Sequence, residues 1–98
     1  MENQKIYLLA ESTVLPGFLE EVRAIFKESL ALTLQEPGCE ALYETTRKDD
    51  PHKLVFFEVF TSAAAHEWHL KQDHARRLFA SLEGKMAGPV TFTRLSAL

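Results

Sequence analysis

A single cysteine, Cys39, stands in a chain of 98 residues, which excludes an internal disulfide and suits a reducing compartment. No run approaches the roughly 20 apolar residues that a helix needs to span a bilayer. The opening residues, MENQKIY, lack the basic-then-apolar layout of a secretory signal. Eleven Lys and Arg against fourteen Asp and Glu give a net charge of −3, and the nearest thing to a basic cluster is Arg76-Arg77. Nucleic-acid binding leaves a basic stripe, and none is visible. There is no Gly-rich phosphate loop, no Walker or dinucleotide fingerprint, no G-x-S-x-G elbow, and no repeat or low-complexity tract. The expectation is a soluble cytoplasmic protein without nucleic acid or membrane as a partner.

What is present suffices for one domain spanning residues 1–98. A chain this short buries roughly 60–70% of its unfolded surface, so its core is modest and association with a second copy would help it. Lys5–Val14 alternates Ile6, Leu8, Ala10 and Val14 on one face and reads as a strand. Pro16-Gly17 then punctuates the chain. From Phe18 to Gln35 the apolar residues Phe18, Val22, Ile25, Phe26 and Leu30 recur at helical spacing, with acids in the first turn. Glu36-Pro37-Gly38 reads as the stop signal of that helix.

Cys39–Arg47 alternates as a half-buried strand, and Asp49-Asp50-Pro51 is a turn signal. His52–Phe60 carries apolar residues on both faces, so it belongs in the middle of a sheet, covered on both sides. Ser62 is placed to cap a short helix, Ala63–Leu70. Asp73 is placed to cap a second helix, whose stripe is Leu78, Phe79, Leu82 and Met86. Val90–Ser96 closes as a strand. The order β-α-β-β-α-β is that of a ferredoxin-like α+β sandwich: a four-stranded antiparallel sheet with helices on one face. The other face would expose Val, Phe, Leu and Tyr side chains, and a second copy could cover it, which predicts a homodimer.

Chemistry concentrates in Val55–His74. Glu58 lies among Phe56 and Phe60, where desolvation raises a carboxyl pKa unless cations or donors hold it ionised. It either orients a histidine or polar substrate group, or simply bonds to backbone donors or lies at a sheet edge. His69 and His74 are five residues apart, about 140° on an unbroken helix, so only a break near Gln72-Asp73 could turn both into one cavity. Histidine suits general acid–base work, yet the spacing also fits one solvated and one hydrogen-bonded core histidine. His66-Glu67-Trp68-His69 sets its histidines three apart where the zinc-protease motif needs four. No Cys or Asp nearby completes a coordination shell, so no metal is expected. Tyr43, Phe60, Trp68 and Phe79 read as core or dimer interface, or as the walls of a cavity for a flat organic ligand. Cys39, flanked by Glu36 and Glu40, reads as a structural thiol.

Pro16-Gly17, Glu36-Pro37-Gly38-Cys39 leading to Tyr43, and Phe57-Glu58-x-Phe60-x-Ser62-x-x-Ala65 followed by His69 and His74 together resemble the antibiotic biosynthesis monooxygenase domain family. The resemblance covers nearly the whole chain, with Phe60 where the family commonly has Trp or Tyr. It implies a dimeric α+β barrel of two such domains. It also implies an enzyme without metal or organic cofactor that oxidises a small phenol or quinol with molecular oxygen, closest in flavour to the bacterial quinol monooxygenases. In that reading His69 or His74 removes a phenolic proton, Glu58 fixes the base or the substrate hydroxyl, and Tyr43, Phe60, Trp68 and Phe79 bind the ring. The similar haem-degrading branch is disfavoured, because its strand-one Asn is missing from Ala10-Glu11-Ser12. The alternatives are an isomerase or lyase on a small, phosphorylated metabolite, for which Arg76, Arg77 and Arg94 are the candidate anchors, and a non-catalytic dimeric ligand-binding module.

Overall fold

A computed structural model describes residues 4–98. Strand β1 (Ile6–Thr13) leads to helix α1 (Leu19–Thr33), then to the hairpin of β2 (Cys39–Arg47) and β3 (Asp50–Phe60). Two short helices follow, α2 (Ala63–Leu70) and α3 (Asp73–Leu82), and β4 (Thr91–Leu95) closes the sheet. The four strands are antiparallel in the order β2-β3-β1-β4. This is the expected ferredoxin-like α+β arrangement, and the doubly apolar strand β3 is indeed internal.

Register assigns the faces. Phe26 of α1 meets Phe56 edge-on, ring centres 4.9 Å apart, so the even-numbered residues of β3 face the helices. Unbroken pairing of Leu8 with Glu58, Ala10 with Phe56 and Leu8 with Arg94 carries that parity across β1 and β4. Ile6, Leu8, Ala10, Leu54, Phe56 and Phe60 are buried under the helices. Val22, Leu82 and the rim residues Phe18, Ile25, Leu78 and Met86 complete the packing from above.

The opposite face carries Tyr7, Leu9, Tyr43, Val55, Phe57, Val59 and Leu95, joined side by side by the same register. Among the described residues no element covers it. Coverage of β3 on both sides, expected from its sequence, therefore holds within one chain only for the helix side. Tyr43 is 62% exposed, because its odd parity places it on the bare face.

Local chemistry explains the ends of the elements. Ser62 Oγ accepts a hydrogen bond from the backbone N–H of Ala65 and starts α2. Asp73 does not cap α3; Gln72 occupies the cap position without a side-chain bond, and Asp73 lies in the first turn, where a carboxylate favours the helix dipole. Met86 lies beyond the end of α3 and pairs with Val14 in an isolated bridge instead of extending the helix stripe. Gly38 is required by contact: a Cβ there would stand 2.5 Å from the Cβ of Ala65. The start of β2 and the first turn of α2 touch, and only hydrogen fits between them.

Candidate functional site

Between the helix-side face of the sheet and the three helices lies a cavity of about 60 Å³, several times the roughly 10–15 Å³ that one water needs. Its wall is mainly apolar, from Phe26, Leu42, Phe56, Leu78, Phe79 and Phe92. The polar residues of the wall are Ser12, Ser29, Thr33, Glu44, Glu58, His66 and His69. Ser29 and Thr33 are buried although they lie on α1. They continue the inward stripe of Val22 and Phe26 at helical spacing, and polar residues at such positions are a signal of a site.

Two carboxyl groups share this wall. Glu58 on β3 faces Leu42 of β2 and Leu8 of β1, and burial pushes its pKa from 4.5 up to about 7. Glu44, diagonal to it on the neighbouring strand, is also raised to about 7, first by burial and then by the charge of Glu58. The register of β2 turns Leu42 and Glu44 to the helices, while Tyr43 faces away. His66 is pushed down, mainly by burial and next by the neighbouring His69 and Arg94, and so favours its neutral form. Burial raises the Cys39 thiol, and the charges of Glu36 and Glu58 add to this, so it is a weak nucleophile.

His69 and His74 converge, but on Glu36 rather than Glu58. Oε2 of Glu36 lies 2.8 Å from Nδ1 of His69 and 2.5 Å from Nε2 of His74. The side chains are 5%, 12% and 15% exposed in the order Glu36, His69, His74. The break between α2 and α3 at Lys71-Gln72 makes this possible, since an unbroken helix would point the imidazoles apart. A carboxylate oxygen only accepts, so we assign the protons to Nδ1 of His69 and Nε2 of His74. In the neutral imidazole this leaves Nε2 as the acceptor nitrogen of His69, whose ring helps to line the cavity. The three donor atoms lie within 4.8 Å of one another and could also hold a metal ion.

The other expected site residues divide. Phe60 is fully buried and lies behind the wall, its ring centre 5.0 Å from that of His66 and 5.2 Å from that of His69. It fixes the imidazoles rather than touching the cavity. Phe79 lines the cavity and is 45% exposed at its edge. Trp68 and Tyr43 do not line it. With His66 and His69 turned inward, Trp68 falls on the outer side of α2 at 50% exposure. His74 does not line it either; its other surroundings are Ile25, Leu32 and Arg77 in a shallow surface pocket between α1 and α3.

A small ferredoxin-like domain with a carboxylate-held histidine pair beside a cavity between sheet and helices defines the class. The family model described as antibiotic biosynthesis monooxygenase matches residues 5–81, and the chain belongs to this family. Among curated proteins no sequence matches. A solved antibiotic biosynthesis monooxygenase is 25% identical, with a TM-score of 0.90 over 95% of this chain and 98% of the other. Rv0793 from Mycobacterium tuberculosis is similar in fold, with 24% identity and a TM-score of 0.90 over 97% and 96% of the two chains. PA3566 from Pseudomonas aeruginosa has 23% identity and a TM-score of 0.91 over 100% and 98%.

Proposed function

We propose that this protein is a cofactor-independent monooxygenase that oxidises a small phenol or quinol with molecular oxygen. The observation that carries the reading is the contact of Nδ1 of His69 with Glu36 beside a largely apolar cavity, which in the neutral imidazole leaves Nε2 as the free base. His69 accepts the phenolic proton, and the phenolate then gives one electron to dioxygen. The radical pair recombines to a peroxide, which collapses with loss of water to the quinone. One substrate and one dioxygen yield one quinone and one water, and the proton on His69 returns in the collapse.

Glu36 acts as a positioning residue by stabilising the imidazolium that forms, as buried carboxylates do for catalytic histidines. His74 shares its oxygen and holds that carboxylate in place. Glu58, with a pKa near 7, both donates and accepts around neutrality and suits a substrate hydroxyl. The apolar wall excludes water from the reacting pair. Phe79 and Phe92, both partly exposed at the edge of the cavity, are the side chains placed to make room for an aromatic ring. Among the described residues of the wall none is Lys or Arg, which argues against a phosphorylated ligand. Two copies associate through the bare sheet face, leaving each cavity on the outer, helix-covered side.

Oxygen consumption with a panel of hydroquinones tests this. We expect uptake insensitive to catalase, reduced at least a hundredfold in His69→Ala, in line with the 10²–10⁴ usual for a general base. No uptake by the wild type, or equal uptake by the variant, would overturn it.

A further inference from the structure

Glu36 leaves one chemical question open. Its Oε2 serves two imidazoles, yet its Oε1 is buried without a hydrogen-bond partner among the described residues. An unpaired carboxylate oxygen in the interior is costly, and such atoms are rare in folded proteins. A cation at this end of the side chain removes the deficit.

The surroundings suit one kind of cation. Nδ1 of His69, Nε2 of His74 and a carboxylate oxygen of Glu36 lie within 4.8 Å of one another. They come from three segments: the turn after α1, the last turn of α2 and the first turn of α3. Metal–nitrogen and metal–oxygen bonds of about 2.0–2.2 Å set donors about 3.4 Å apart in a tetrahedron, so the 2.8 and 2.5 Å contacts to Oε2 open by somewhat under 1 Å as the ion replaces the two N–H protons. Two imidazoles and one carboxylate form a borderline donor set, suited to zinc, cobalt or ferrous iron and poorly suited to magnesium or calcium. Phe60 packs against the His69 ring, so one ligand is already oriented.

We infer that Glu36, His69 and His74 form a binding site for one divalent first-row transition-metal ion. A sequence reading confined to the neighbourhood of the histidines lacked the third ligand, because Glu36 lies 33 residues from His69. The inference does not rest on the oxidation chemistry. A metal on Nδ1 moves the remaining proton of His69 to Nε2, so the metal-bound protein and the free-base protein are alternative states of one site.

Zinc titration of chelator-stripped protein against a chromophoric competitor tests the site directly. The wild type should bind one zinc per chain, and Glu36→Gln and His74→Gln should each bind at least tenfold more weakly. His52→Gln should keep wild-type affinity; it removes the imidazole lying 3.7 Å from Asp50, the nearest rival pair. Circular dichroism shows whether each variant is folded. Visible absorption of the cobalt-loaded wild type gives a readout that needs no variant, since nitrogen and oxygen donors in a closed site intensify the d–d bands. Less than one zinc per chain, equal affinity in Glu36→Gln, or a cobalt spectrum like that of the aqueous ion would each overturn the inference. Failure of the oxygen assay leaves these results readable, and failure of zinc binding leaves the oxygen assay intact.

Discussion

Replacing Glu58 by glutamine measures what the cavity costs the fold. Burial raises this carboxyl from 4.5 to about 7, so between those values the native state holds a proton that the unfolded chain has released. Stability therefore falls as pH rises from about 4.5 to 7, and the penalty is complete above 7. At about 1.4 kcal/mol per pH unit, this sets a ceiling of about 3 kcal/mol, lowered by whatever water reaches the half-buried group. The charged groups around it are Glu44 on β2, Arg94 across β1 on β4, His66 and His69 on α2, and Cys39 at the start of β2. Glu44 titrates in the same window with the same sign, so the wild type alone cannot apportion the effect, whereas the variant can. Glutamine keeps the shape without the charge. Urea unfolding at pH 5 and pH 8, at fixed protein concentration, should show Glu58→Gln losing less stability than the wild type over that interval. At pH 8 the variant should be the more stable by about 1–3 kcal/mol, a rise in Tm of several degrees for a domain this size. An unchanged pH dependence, or a variant less stable at pH 8, would refute the reasoning that burial rather than a hidden partner governs Glu58.

Three further outcomes are expected. Gly38→Ala should destabilise the domain by about 1–3 kcal/mol through overpacking, because its methyl would stand 2.5 Å from the Ala65 side chain; denaturant unfolding of Gly38→Ala with Ala65→Gly should recover part of that loss. If two copies pair through the bare sheet face as proposed, the wild type should be a dimer by light scattering, Phe57→Lys at the centre of that face a monomer, and His52→Lys outside it a dimer. Glu36→Gln should lower oxygen uptake by at least tenfold with little change in KM, as expected for a residue that positions the base.

Most of the architecture was legible because it follows from periodicity. The alternation in β1 and the doubly apolar β3 placed the strands, and the Val22–Phe26 spacing placed α1. The ends of α3 and the parity of β2 were not, since a Cys39 bulge shifts the register and Tyr43 looks equally apolar on either face. The site was half legible. Glu58 stood out as an acid in an apolar run, and His69 and His74 as a loose pair. Their partner was hidden in plain composition: Glu36-Pro37-Gly38 reads as punctuation, and the same glutamate is a buried hydrogen-bond acceptor only because the chain reverses there. No local spacing rule links residues 36, 69 and 74. Trp68 attracted attention by its type, but the helical turn that brings His66 and His69 inward turns it out.

Helix α2 contributes no fully buried residue. It is held instead by three small fastenings: the Gly38–Ala65 contact, Phe60 against two imidazoles, and one oxygen of Glu36. Its anchorage is thus sparse and local, while the sheet beneath is locked by extensive packing. Such an element opens at a lower free-energy cost than the core it leans on. The wall of the cavity that carries its histidines is therefore held less firmly than the sheet wall facing it.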